Sequence, residues 1–470
     1  MESIISSEGA RVITRKVISV VVLPIAIVSI CVPDNSFTQE RVALKTVNPA
    51  ARNHPTTGAL DDAALVRGIE STYPALNDLY QYLHGHPELS FQETQTASRL
   101  AKELRATGLE VTEGVGKTGV VALLKNGNGP TIMVRADMDA LPVTEATGLP
   151  YASKATAKDD DGSTVGVMHA CGHDIHMTCL VGTARLLADL RNMWSGTVMF
   201  VCQPAEERSG GAEAMIKEGL FDRFPKPKYA IALHCDASMP TGQVGFTPGY
   251  ILANVDSIDI TVRGRGGHGS TPSAAIDPIV IACKLVLDLQ TIISREKSPT
   301  EPGVITVGSI HGGTKHNIIP DEVKLQITVR SYSAETRKLL LDSIENKMLA
   351  ASAASRAPKP SFAIVDQTPS TFNDPVLTEQ AASVAKRLFG PDNVLRPEPR
   401  MGGEDFSEYS HAGVPICMFW LGSVAPARLE AAAKGSPLPS LHSSRFYPDA
   451  EPTIKTGVQT MTAIVLDLLK

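Results

Sequence analysis

Between Met168 and His176 the chain reads M-H-A-C-G-H-D-I-H, which puts His169, Cys171, His173, Asp174 and His176 in nine residues. Cysteine and histidine are the soft and borderline donors that hold zinc and its transition-metal neighbours. Cys171 and His173 flank Gly172, and a turn at that glycine would let both side chains face one ion. The same segment also suits a helix N-terminus capped by Asp174, with histidines that only pack. A carboxylate pair, Glu206 and Glu207, stands in Q-P-A-E-E directly after the apolar run GTVMFVC, and Pro204 keeps a helix from absorbing it. Adjacent glutamates are commonplace on surfaces, so their position carries the argument. Asp137 and Asp139 follow TIMVRA, and His234 closes YAIALH, so several polar clusters end strand-like runs. In open α/β sheets that is where sites lie. Farther on, GGEDF (402 to 406) and LHSS (441 to 444) add Glu404, Asp405 and His442. Cys171, His173, Glu207, His234 and His442 together make a donor set suited to two transition-metal ions with open positions for water, and Glu206 is left to take that water's proton.

The elements that must position these residues can be read from periodicity. Apolar spacing near 3.6 predicts helices through LVRGIESTYPALNDLYQYLHGHPEL and TASRLAKELRATGL, and again through HMTCLVGTARLLADL. Between them stand short β-rich runs: VVALLK, PTIMVRADMDAL, GTVMFVCQP and KYAIALHC. Strands alternating with helices predict an α/β sheet covered on both faces. Beyond Gly249 the order NVDSIDITVRGRG, DPIVIACKLVLDLQTII, VITVGSI, EVKLQITVRSY, AETRKLLLDSIENKMLAASA and SFAIV reads β-α-β-β-α-β. That order makes a small sheet with helices on one face, inserted into the larger unit. VPICMFWLG resumes the first sheet, and the Ala/Pro/Ser/Gly-rich segment from Val424 to Ser440 reads as a loop insertion. The expected division is 1–55 for an N-terminal segment and linker, 56–252 and 367–470 for the two parts of a catalytic domain, and 253–366 for the insert.

Composition excludes several classes. With 470 residues, 43% hydrophobic and 20% charged, and 44 Lys+Arg against 50 Asp+Glu, the chain is neither disordered nor fibrous. It lacks the basic block that a nucleic-acid partner requires. Seven cysteines, odd in number and scattered, point to metal or catalysis before disulfides. Val17 to Val32 is uncharged and apolar and follows Arg11, Arg15 and Lys16, the order of a secretory signal or signal anchor. Pro24 interrupts it, and Ile30 before Cys31 departs from a lipidation site. The expectation is a secreted, periplasmic or membrane-anchored protein, with the cytoplasm as the alternative.

Taken together, HGHPELSFQE (84 to 93), RADMDALPV (135 to 143), MHACGHDIH, QPAEE, GGHGSTP (266 to 272), HNIIPD (316 to 321), GGEDFSEY and LHSSRFYPDAE resemble a known family. It is the co-catalytic di-metal aminoacylase, carboxypeptidase and dipeptidase family, in its amidohydrolase branch of hippurate, N-acyl-amino-acid and auxin-conjugate hydrolases. The resemblance runs from Leu60 to the C-terminus. Cys171 marks the branch, where carboxypeptidase relatives carry a bridging aspartate, as does RADMD in place of His-x-Asp. It implies a phosphorylase/aminopeptidase-like mixed sheet flanked by helices, with an inserted ferredoxin-like α+β dimerisation (lid) domain. It further implies two divalent ions per subunit, Zn, Mn, Co or Ni, held by Cys171, His173, Glu207, His234 and His442, with Glu206 as general base and Asp139 orienting the ligands. His268 resembles a histidine that reaches the partner subunit's site in a homodimer, and Asn317 and Arg330, 13 residues apart across the hairpin predicted from VITVGSI and EVKLQITVRSY, resemble a pair that holds a substrate carboxylate. The implied activity is metal-dependent hydrolysis of the amide of N-acyl amino acids. A carboxypeptidase or dipeptidase of the same superfamily, a non-catalytic binding or sensor protein on this fold, and a cysteine hydrolase using Cys171 are the alternatives.

Overall fold

The computed structural model describes residues 62–470, so the apolar segment from Val17 to Val32 and the expectation of export built on it lie outside the described residues. Helices α1 (Asp62–Gly85) and α2 (Thr94–Ala106) open the fold, followed by strands β1 (Glu110–Val115), β2 (Gly119–Asn126) and β3 (Thr131–Asp137). Helix α3 (His173–Asp189), β4 (Gly196–Gln203) and β5 (Tyr229–Pro240) come next. Two short strands, Val244–Gly245 and Val394–Leu395, and the late strand Ile416–Val424 complete an eight-stranded sheet. Its centre is parallel: β3 lies between β4 and β5 in parallel, and Ile416–Val424 runs parallel beside β5, with Leu421 opposite Cys235. At the other edge β2 pairs antiparallel with β4 and β1 with β2.

The central strands are apolar on both faces because both are covered. Ile132, Val134 and Ala136 of β3 join the core that includes α1, α3 and the C-terminal helix Ala450–Leu468, whereas Met133 joins the opposite core with Met199, Met215 and Tyr409. Alternation of side chains along a strand produces this division. Helix α3 is buried over nearly its whole length. Gly182 and Gly457 permit that: a Cβ at Gly182 would come within 2.6 Å of Val458, and one at Gly457 within 2.6 Å of the Cys179 sulfur.

Residues from Asn254 onward build a second sheet. Strand β6 (Asn254–Arg263), helix α4 (Pro278–Thr291), strands β7 (Gly303–Gly312) and β8 (Glu322–Ser331), helix α5 (Ala334–Ala354) and β9 (Ser361–Thr368) follow the β-α-β-β-α-β order. The strand order β7-β8-β6-β9, antiparallel throughout, is ferredoxin-like, and α4 and α5 share one buried core with it. The chain then returns to the large sheet through helix α6 (Pro375–Phe389).

Three expectations are corrected. The segment from Val424 to Ser440 is not wholly loop, because Pro426–Ala433 forms a helix: proline at its first turn and four alanines are helix-initiating and helix-forming residues. His234 does not end its strand, since β5 continues to Pro240. Arg330 does not face Asn317 across a hairpin: it pairs with Val304 and Val255, while Asn317 lies beside His268. Strand β1, whose exposed face blurs the alternation of EVTEGV, is absent from the sequence reading.

Candidate active site

Helix α3 starts at His173, and the residue before it, Gly172, has φ +86°, a left-handed conformation that suits glycine. The turn brings the Cys171 sulfur to 3.6 Å from Nε2 of His234 on β5. The Glu206–Glu207 turn follows β4, and His173 Nε2 lies 3.8 Å from Glu206 Oε2 and 3.8 Å from Glu207 Oε1. His442 Nε2 lies 3.6 Å from Glu207 Oε2. Its backbone amide donates to the carbonyl of Ala170 at 2.8 Å, tying the C-terminal segment to the Cys171 turn. Cys171, His173 and His234 form one group of donor atoms mutually within 4.8 Å, and Cys171, Glu207 and His442 form another, with Cys171 common to both.

The hydrogen bonding of the histidines fits a cation. His173 Nδ1 sits 2.8 Å from the carbonyl of Asp139 and His234 Nδ1 2.8 Å from that of Cys235. A carbonyl only accepts, so each Nδ1 carries a proton, and in the neutral ring each Nε2 lone pair faces the cluster. His173 Nε2 and Glu207 Oε1 are buried without a hydrogen-bond partner among the described residues. Asp137, His173 and His176 also lie close enough to hold an ion, as do Glu206, Glu404 and Asp405, but in these groups Asp137, His176, Glu404 and Asp405 are engaged internally. His176 uses Nδ1 on Asp137 (2.6 Å), and its Nε2 accepts from the amide of Cys235 (2.9 Å). Glu404 and Asp405 bind the wholly buried guanidinium of Arg135 at 2.8 and 3.0 Å, and Arg135 reaches Asp137 at 2.7 Å as well.

Electrostatics agree with this arrangement. Burial and the neighbouring Glu404 and Glu207 push the Glu206 carboxyl well above its usual range. Burial raises Glu207 to about 7, against the opposing pull of His173. The Cys171 thiol is driven up by burial and then by Glu207 and Glu206. His173 is lifted to about 10 because Asp137, Asp139 and Glu207 together outweigh the burial that lowers it. So much negative charge converging on one cavity calls for positive charge, and the soft–borderline donor set suits transition-metal ions.

Asp139 lies just beneath. Its two carboxylate oxygens accept from the backbone amides of Glu206 and Glu207, each at 3.0 Å, and Ser90 donates to it at 2.6 Å. The cavity, about 290 Å³, is lined by Cys171, Glu206, Glu207, His234, Arg330 and His442, with Trp420 and Arg400 on its wall. Arg330 donates Nη1 to the carbonyl of Met401 at 2.9 Å and has no carboxylate partner among the described residues. Arg400 is instead paired with Asp236 at 2.5 Å and lies over the Trp420 ring. His268 and Asn317 are brought together, the amide of Gly269 donating to the Asn317 carbonyl at 2.9 Å, but both are exposed and neither lines this cavity. Sequence reasoning missed Arg135, Gln203, Arg400 and Trp420. For Arg135 a signal existed: a charged residue inside the apolar run TIMVRA has to be buried with partners.

A mixed sheet with cysteine, histidine and carboxylate donors gathered at its strand ends, and a spare carboxylate among them, defines a metal-dependent hydrolase. The model of peptidase family M20/M25/M40 matches residues 133–466, and the chain belongs to that family. The hippurate hydrolase of Campylobacter jejuni is 41% identical over 330 residues, 69% of this chain and 82% of that one. The thermostable carboxypeptidase 1 of Saccharolobus solfataricus is 37% identical over 379 residues, 80% of this chain and 90% of its own length. A solved Bacillus subtilis protein, described as a dinuclear metal binding peptidase from the M20 family, superposes with a TM-score of 0.70 at 30% identity, covering 85% of this chain and 99% of that one. The protein is thus a metal-dependent amidohydrolase or peptidase acting on linear amides.

Proposed function

We propose that this protein hydrolyses the amide bond of N-acyl amino acids, releasing a carboxylic acid and a free amino acid. The observation that carries the reading is Arg330, a guanidinium without a carboxylate partner among the described residues, lining the same cavity as Glu206 and the donor groups. A planar fork so placed suits the free α-carboxylate of an amino-acid product. Cys171, His173, Glu207, His234 and His442 would hold two divalent ions. Bound there, the ions would polarise the scissile carbonyl and lower the pKa of a water toward neutrality. Glu206, which is no member of the two ligand groups that share Cys171, takes the proton from attacking water and returns it to the leaving amine. Asp139 keeps that carboxylate aimed by holding its backbone.

His268 and Asn317 stand outside this cavity, which supports a homodimer in which a second copy supplies them: the histidine to the developing oxyanion, the asparagine to the substrate carboxylate. The basic-then-apolar order from Arg11 to Val32 supports an exported or anchored protein. The carboxypeptidase reading is favoured by likeness to the Saccharolobus protein.

The test is hydrolysis of N-acetyl, N-benzoyl, long-chain and indole-acyl amino acids beside free dipeptides, before chelation, after it, and after adding back Mn, Zn, Co or Ni. Acyl-amino-acid turnover that chelator removes, metal restores and Glu206→Gln abolishes is the expected result. Faster turnover of dipeptides would favour the carboxypeptidase reading, and no turnover by a folded, metal-loaded protein would favour a binding protein.

A further inference from the structure

Three successive amides, those of Ala205, Glu206 and Glu207, end on buried carboxylates. Asp139 takes the last two, and the first donates to Glu93 Oε1 at 2.9 Å. Ala205 sits at φ +49°, a left-handed conformation uncommon for a residue with a side chain, and a run of amides around such a residue forms a concave anion nest. The nest is filled from within the protein, so the Glu206 and Glu207 side chains leave it toward the cavity.

Glu93 itself is fully buried. Although it precedes α2, its side chain does not cap that helix. Its Oε1 also accepts from the amide of Phe91 at 2.9 Å, and Oε2 accepts from the Thr118 hydroxyl at 2.6 Å. Phe91 (φ +61°) and Lys117 (φ +77°), the residue before Thr118, are further non-glycine residues in left-handed backbone, and the Lys117 ammonium lies 3.7 Å from the Phe91 ring centroid. One carboxylate therefore joins three strained turns, one of which carries Glu206 and Glu207. A surface cap would not be buried, and a purely packing residue would not be a carboxylate with three donors.

We propose that Glu93 is a positioning residue for hydrolysis: by holding the Ala205 amide it fixes the turn that aims Glu206 at water and Glu207 at the metal. This rests on the reading of Glu206 as base and Glu207 as ligand. Capture of the amide, rather than charge, is the operative feature. A glutamine keeps an acceptor for the two amides, and its NH2 can donate to the Thr118 oxygen.

The experiment compares Glu93→Ala, Glu93→Gln and Thr118→Val with the parent protein, measuring kcat and KM on the best substrate, metal affinity by titration with Mn or Zn, and melting temperature. Glu93→Ala is expected to lower kcat by about 30-fold with KM near the parent value and to weaken metal binding by about tenfold. Glu93→Gln should restore both. Thr118→Val, which frees one oxygen, should lower kcat by roughly fivefold. If Glu93→Ala fails to fold, the Gln and Val variants decide. Parent-like kcat and metal affinity in Glu93→Ala, or a Gln variant as impaired as Ala, or Thr118→Val unchanged where Ala does not fold, would overturn the proposal. Parent turnover and its loss in Glu206→Gln test the base separately, and metal titration reads Glu93 even where no substrate turns over.

Discussion

Oδ1 of Asp139 accepts the backbone amide of Glu206 at 3.0 Å, and its second oxygen accepts that of Glu207 at the same distance. One side chain two residues past the end of β3 thus sets the placement of two carboxylates that follow β4. The nearby His173 ring, 3.6 Å from Oδ1, and the hydrogen bond from Ser90 hold the Asp139 carboxyl below its ordinary range despite burial, so both oxygens stay acceptors.

Replacing Asp139 with Asn turns one of those oxygens into an NH2 that faces an N–H. One amide of the turn is left unpaired, and an unsatisfied buried donor costs about 1–3 kcal/mol. Asp139→Asn should lower kcat and metal affinity together by 10- to 100-fold, roughly, with the fold retained. Metal titration with circular dichroism checks this, and parent-like metal binding would remove Asp139 from the supporting role.

Cys171 offers a direct reading of metal ligation. Burial and the nearby glutamates favour the neutral thiol, so the metal-free protein should alkylate slowly at this position. Adding Co(II) should displace the thiol proton and give a thiolate-to-metal charge-transfer band in the near ultraviolet. Cys171→Ser should lack that band. A full-strength band in the serine variant would place the metal elsewhere.

The donors were legible where they are close in sequence. Cys171, Gly172 and His173 stand together in sequence and allowed a ligand-bearing turn, with a helix N-terminus as the alternative, and the apolar runs declare the strands that end near them. The insert was legible for the same reason, since its β-α-β-β-α-β order is local pattern. What stayed hidden is non-local. Glu93 and Ala205 are 112 residues apart, and Arg135 meets Glu404 across 269, so neither pairing leaves a period to read. The helix Pro426–Ala433 was obscured because the surrounding Ser, Gly and Pro residues dominated the composition of its segment.

His84 gives a pH signature. It is buried between Asp174 (2.7 Å) and Glu145 (3.1 Å), and although burial lowers its pKa, these carboxylates raise it from 6.5 to about 9. A histidine whose folded pKa is raised adds stability that is full below 6.5 and disappears as pH rises through 9. A displacement of that size corresponds to about 3 kcal/mol. Urea unfolding of parent and His84→Gln should therefore differ more at pH 6 than above pH 9, and an equal difference at both would refute the charged pairing.

Arg330 separates binding from chemistry. Its Nη1 is anchored to the carbonyl of Met401 at 2.9 Å, so the fork is held at the cavity wall without a carboxylate among the described residues to satisfy it. A substrate carboxylate paired there is bound alike in ground and transition states, and loss of such a contact raises KM more than it lowers kcat. Arg330→Ala should raise KM for N-acyl amino acids by about 100-fold, in keeping with a charged hydrogen-bonded pair of some 2–3 kcal/mol. The same acyl amino acids with the α-carboxyl converted to an amide should be poor substrates for the parent and no poorer for the variant. Lysine in place of arginine should recover only part of the loss, because a point charge cannot pair through two parallel N–H groups. Equal losses on the free acid and the amide would mean that Arg330 shapes the cavity and leaves the carboxylate to other residues.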